Sequence, residues 1–169
     1  MHTYVAIPAG ATSVPLPDLR AWESLMRRSI EAARCGNTAL AGHLCAQALL
    51  IAEALLAPGH EDLSADDRLA AFVVTHLQFA DLHAEQGGGI DAAALHRCRA
   101  HEALMALLRD PQAEPALQQA ACRHSRETHA ALLLHLTDHG SHPAIVAALH
   151  AGCMPIALPS VPGGSNLLH

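Results

Sequence analysis

The chain is expected to be all-α, with three antiparallel helical hairpins stacked as a right-handed array or, alternatively, gathered into a compact helical bundle. Three observations lead to this expectation. Uncommon residues and turn residues recur at an offset of 53: Ala41-Gly-His43-Leu-Cys45 returns as Ala94-Leu-His96-Arg-Cys98, Gly36 as Gly89 and Pro58 as Pro111. Glu61 likewise returns as Glu114, Thr75-His76 as Thr128-His129, and Gly87 as Gly140. A period of a few tens of residues marks stacked helical hairpins. Second, apolar residues make up 51% of the chain, but much of that is alanine, and only Tyr4, Trp22, Phe72 and Phe79 are aromatic. Small side chains suit closely packed helices, whereas strand-rich folds draw on more branched and aromatic residues. Third, six stretches carry apolar residues at helical spacing, each closed by a turn signal.

The first helical stretch runs from Pro17-Asp18 through Trp22, Leu25, Met26 and Ile30 to Cys35-Gly36-Asn37, where glycine supplies the stop and Asn37 or Thr38 can cap the next helix. The second carries Leu40, Leu44, Leu49, Ile51 and Leu55 and stops before Pro58-Gly59. The third opens at Ser64-Ala-Asp-Asp67, a capping box with Asp at its fourth position, and continues to the Gly87-Gly88-Gly89 turn. Ile90, Leu95, Cys98, Met105 and Leu108 stripe the fourth, which ends at Asp110-Pro111. The fifth spans Glu114 to His139, and a short sixth covers Ala144 to Leu149 after Gly140-Ser141-His142-Pro143. Residues 1–16 read as an extended arm whose Tyr4-Val-Ala-Ile7 lies against the first helix, 17–151 as one helical domain, and 152–169 as a flexible tail rich in Pro and Gly.

At 169 residues one domain is the default, and a chain of that length buries a real core without staples. The net charge of -6 is concentrated between Glu61 and Asp91, where seven acids face Arg68 alone. Several of them, including Asp66 and Asp67, stand at the start of the third helix and complement its dipole. All ten basic residues are arginine and none forms a run, which argues against nucleic-acid binding. The cysteines Cys35, Cys45, Cys98, Cys122 and Cys153 are odd in number and sit mostly in apolar helical patterns, as expected in a reducing compartment. No basic segment followed by an apolar run opens the chain, and no apolar stretch is expected to approach the ~18 residues of a membrane span, so a cytoplasmic protein without membrane contact is expected.

The hairpin pattern resembles the tetratricopeptide repeat (TPR). In that motif a large residue followed by a small one on the first helix is answered by a turn glycine, as Phe79-Ala80 and Gly87 are here. Its second helix carries a small, a bulky and a small residue, as at Ala41, Cys45 and Ala48, with Cys45 in place of the usual aromatic. Ala94 and Cys98 take the same places in the next hairpin, and His101 stands where a small residue is usual. The resemblance extends over about residues 18–150, and the period is longer than the usual 34 residues, implying longer helices or wider connections. Val74-Thr-His76 with Ala80-Asp-Leu82, and His96-Arg-Cys98-Arg-Ala-His101-Glu102, also resemble small bacterial TPR-like proteins of unassigned function. That resemblance implies a scaffold and no particular reaction.

The function expected is therefore a non-enzymatic interaction scaffold or adaptor, without cofactor, that binds a peptide, a helix or a second copy of itself. Under the repeat alignment the groove face comprises Met26, Ile30, Leu77, Asp81, Ala130 and Leu134. It is mostly apolar and has no basic clamp for a terminal carboxylate. The alternative is a metal-binding or metal-sensing bundle in which His76, His83, Cys98 and His101 hold zinc or another late transition metal. His76 and His83 share a helix face, and reflection through the glycine turn places His76 near His101. His135 and His139 could also chelate, although histidine at a helix C-terminus is accounted for by the dipole. Nothing in the chain has the form of a GxSxG elbow, a phosphate loop, HExxH or paired CxxC, so no enzymatic activity is expected.

Overall fold

The structure is a computed structural model that describes residues 18–86 and 89–152. Six helices form: α1 (Leu19–Arg34), α2 (Thr38–Leu55), α3 (Ala65–Glu85), α4 (Ile90–Arg109), α5 (Pro115–His139) and α6 (Pro143–Gly152). No strand occurs among the described residues, so the all-α expectation holds. The expected arm over 1–16 and the tail beyond Gly152, including Cys153, lie outside the described residues.

The helix ends follow from local chemistry. Asp18 accepts from the Arg20 amide at 3.0 Å, Asn37 from Leu40 at 3.1 Å, and Ser64 from Asp67 at 3.4 Å, so each satisfies a first-turn N–H that the helix itself cannot. Pro115 opens α5 and Pro143 opens α6, where the missing N–H costs nothing. The sixth helix is accordingly longer than expected, running past Leu149 to Gly152. Two glycines that share a place in the repeat serve different ends. Gly36 turns left-handed at φ 76° to close α1, whereas Gly89 keeps an ordinary φ of -88° but lies so near the His83 carbonyl that a Cβ would collide with it.

Helices contact only neighbours one or two places along the chain: each consecutive pair packs together, and α1 meets α3, α3 meets α5, and α4 meets α6. The offset of 53 reappears in where three of the helices begin. α2, α4 and α6 begin at Thr38, Ile90 and Pro143, close to one period apart. Ala41 and Cys45 are buried in one apolar cluster, and their counterparts Ala94 and Cys98 in another. A third cluster, around Leu55, Leu69, Phe72 and Leu104, lies between them. Among the described residues, half of the buried apolar side chains are alanines (13 of 26), which lets these helices approach closely.

Thr75, fully buried on α3, joins three helices. Its hydroxyl accepts from Trp22 Nε1 on α1 at 2.8 Å and donates to the Ala71 carbonyl at 2.6 Å, while the Cys45 thiol of α2 donates to its carbonyl at 3.7 Å. Charged bonds tie α3 to α5. Arg68, 2% exposed, donates to Glu114 at 2.6 Å, and Arg123 donates to Asp66 at 2.7 Å. Asp66 thus does more than complement the α3 dipole.

One expectation is corrected. α2 does reach membrane-span length and apolarity, with a mean hydropathy of 1.4 over Thr38–Leu55. Its buried row of Ala41, Leu44, Cys45, Ala48, Ala52 and Leu55 packs within the core, and a core helix passes the same length and composition test. His43, Gln47 and Glu53 interrupt the apolar run in sequence but do not lower its average enough to matter, which is why the run looks shorter than it is.

Candidate functional site

The six expected groove residues divide between core and surface. Met26 is 5% exposed and faces inward, its Sδ 3.7 Å from the Thr75 hydroxyl, so it is a core residue and not part of a surface groove. The helical stripe of α1 faces its hairpin partner there. Ile30 is half-buried, and Leu77 packs partly against the central apolar cluster. Asp81 is exposed and accepts from Arg97 at 2.9 Å. Ala130 is exposed on α5 and Leu134 is 57% exposed. The neighbouring helices α3 and α5 therefore carry what remains of this face. Two residues outside the expected set belong with it by exposure: Val74 at 40% on α3 and Leu133 at 47% on α5. Ala130, Leu133 and Leu134 are three and four apart and form one apolar row on α5. Leu133 is visible in the sequence as the neighbour of Leu134, but periodicity alone does not show which side of α5 remains uncovered.

The four candidate metal ligands are not brought together. His76, 2% exposed, points its Nδ1 at His96 Nδ1, 3.0 Å away, while His83 stacks on Phe79 and His96 with ring centroids 5.7 and 5.5 Å apart. Cys98 lies in the apolar cluster with Ala94, Leu132, Ile145 and Ala148. His101 bonds Thr128 at 2.9 Å. Among the described residues no three His, Cys, Asp or Glu side chains are arranged to hold a metal. Reflection through the glycine turn sets His76 level with His101, but His76 meets His96, about a turn and a half nearer that turn. His96 is the residue that spacing alone does not find. The aromatic residues of α3 are the available signal, since Phe79 stacks on His96 at 4.7 Å and Phe72 meets His76, the partner of His96, edge-on at 4.5 Å.

Burial governs the titration of these groups. It holds His76 and His96 down to about 4, with neighbouring His and Arg99 adding repulsion toward a second proton. His135, 1% exposed, is also held down to about 4, by burial first and by the Arg97 guanidinium next. Arginine can only donate, so the 2.6 Å bond from Arg97 makes His135 Nδ1 an acceptor and places the ring proton on Nε2. The same Arg97, buried on α4, reaches Asp81 on α3 and thereby links three helices. Burial pushes the Cys45 thiol up to about 12 and the Cys98 thiol up to about 11, so neither supplies a thiolate at neutral pH.

Six packed helices, an exposed apolar row on α5 and buried imidazoles held neutral define an all-helical protein. The chain belongs to the family described as "Protein of unknown function (DUF2753)", whose sequence model matches residues 20–159 and so spans nearly all of the six helices. No match is found among curated proteins or among solved structures.

Proposed function

We propose that the protein is a non-enzymatic interaction scaffold, a TPR-like helical array that binds an amphipathic helix of a partner protein, or a second copy of itself, through the face shared by α3 and α5. The observation that carries this function is the apolar row Ala130, Leu133 and Leu134, left uncovered on a helix whose other side packs against α3 and α4. Exposed leucines scattered singly have no such meaning, but a row at i, i+3 and i+4 offers the stripe an amphipathic helix requires. Val74 and the half-buried Leu77 extend it onto α3, and Asp81 gives it a polar border. Neighbour-only packing supports the repeat reading, since stacked arrays leave long faces free where a closed bundle buries them.

The free thiols of Cys45 and Cys98 are consistent with a cytoplasmic setting. The protonated thiols of Cys45 and Cys98 and the separation of His76, His83, Cys98 and His101 among the described residues support a scaffold over the metal-sensing alternative. Leu134→Asp is the informative variant, because Leu134 is exposed whereas Leu77 contributes to the core. Binding of a designed amphipathic helical peptide, and any self-association seen by sedimentation equilibrium, is expected to weaken at least about tenfold with an unchanged melting temperature. Retention of both by the variant would remove the basis for this function.

A further inference from the structure

The last helix is too short to cover the one it packs on. α6 has 10 residues and α4 has 20, which makes about 15 Å of helix against about 30 Å. The buried Ile145 and Ala148 of α6 join Ala94 and Cys98 in the first half of α4. α6 then ends beside the second half, where a Cβ on Gly152 would stand 3.1 Å from His101 Nε2 and 3.7 Å from Met105 Sδ, and where Arg109 donates to the Ala151 carbonyl. The absence of a side chain at Gly152 lets the backbone leave α6 while still in contact with α4.

At that point a cleft of about 350 Å³ opens between α4, the middle of α5 and the last turn of α6. A space of about 150 Å³ takes a benzene-sized group, so this one has room for two apolar side chains. Met105 and Leu149 form its apolar walls, and Gly152 stands on its rim. An empty hollow of this kind forfeits the contacts its walls could make.

The chain that continues from the rim suits the space. Cys153-Met-Pro-Ile-Ala-Leu158 carries no charge. Met154, Ile156 and Leu158 alternate, the spacing that puts large apolar side chains on one side of an extended run, and Pro155 biases Met154 toward that conformation. Six extended residues reach about 20 Å, whereas only about 12 Å of α4 lies between His101 and Arg109. The family's sequence model runs on to residue 159, past the end of α6 at Gly152, and so takes in the whole of this segment.

We propose that residues 153–158 dock in this cleft and complete the last hairpin, with Met154 and Ile156 against Met105 and Leu149. The occupant is the chain's own segment because its attachment at Gly152 holds it at an effective concentration that a separate molecule would have to exceed. The docking uses none of the residues of the α3–α5 interaction face and does not rest on it.

The test uses the full chain, labelled with ¹³C at the methyl groups of Met, Ile and Leu. Nuclear Overhauser contacts are expected from the Met154 and Ile156 methyls to those of Met105 and Leu149, and they should persist when labelled protein is diluted into excess unlabelled protein. Absence of these contacts overturns the proposal. Contacts that vanish on dilution assign the cleft to the segment of a second copy and overturn it as well. In the full chain, Ile156→Asp is expected to speed hydrogen exchange of the α6 amides at least about tenfold, whereas Leu167→Asp, outside the segment, leaves it unchanged. Unaltered exchange in Ile156→Asp, or equal acceleration by Leu167→Asp, would contradict the docking.

Discussion

Replacing Glu114 with alanine is expected to destabilise the protein by about 3 kcal/mol, because it strands a guanidinium inside the fold. Arg68 is 2% exposed and its bond to Glu114 is 2.6 Å long, while its Nε already lacks a partner among the described residues. Glu114 is 35% exposed, so the loss of its own carboxylate matters less than what that loss does to Arg68. Although it occupies the N-cap position of α5, it makes no capping bond there, and its carboxylate is committed to α3 instead. Arg68→Met removes the charge along with the pair and is expected to cost roughly 1 kcal/mol or less, since apolar replacement of a buried ion pair is often near neutral. Urea denaturation of Glu114→Ala, Arg68→Met and the double variant measures this directly. Adding Arg68→Met should restore most of the stability lost in Glu114→Ala. A loss below about 0.5 kcal/mol in Glu114→Ala would show that the pair is only a surface contact.

The second large effect is acid lability above the range in which carboxylates titrate. His76, His96 and His135 are held down to about 4 in the folded chain, against about 6.5 when unfolded. Between these values the unfolded chain binds more protons than the folded one, so each proton taken up favours unfolding. Their contribution is therefore fully present above pH 6.5 and is lost as the pH falls toward 4. His96 is only half-buried and shares a bond with His76, so the three are not additive. A combined loss on the order of 3–6 kcal/mol is expected, a large share of the usual stability of a domain. Asp66 and Glu61, whose carboxyls are held below their ordinary values, act in the opposite sense of charge and lose their contribution only at lower pH. Urea midpoints measured from about pH 7.5 to 4.5 should fall mainly between about 6.5 and 4.5. A flat profile over that interval would contradict the burial of neutral imidazoles.

Much of the fold can be read from the sequence because helix ends are local events. Asn37, Ser64, Gly36 and Gly140 act within a few residues of their own positions, and each stands where its chemistry requires. Cys45 and Cys98, which share a place in the sequence recurrence, are both buried. Long-range polar partners are not legible. Helical spacing shows that Arg68 and Arg97 lie on helices, but not that they point inward, because that depends on Glu114 and Asp81, 46 and 16 residues away. Exposure on a helix is likewise not set by spacing alone: Leu134 is exposed, but Met26 sits on a stripe that two different neighbours could claim and is buried. The same ambiguity affects the histidines. A reflection through a glycine turn sets the level of two helices only to within a turn or so, and that error separates His96 from His101.

The central claim is that this histidine-rich chain uses its buried imidazoles as neutral hydrogen-bonding and packing groups inside an all-helical fold. The most direct test is long-range ¹H–¹⁵N correlation of the histidine rings of the tag-free protein between about pH 7.5 and 5, with and without added zinc. The account predicts that His76, His96 and His135 stay neutral at about pH 5.5, that His135 carries its proton on Nε2, and that zinc does not move His76, His83 and His101 together. Titration of those buried rings near about 6.5, or a concerted zinc shift of all three, would contradict it.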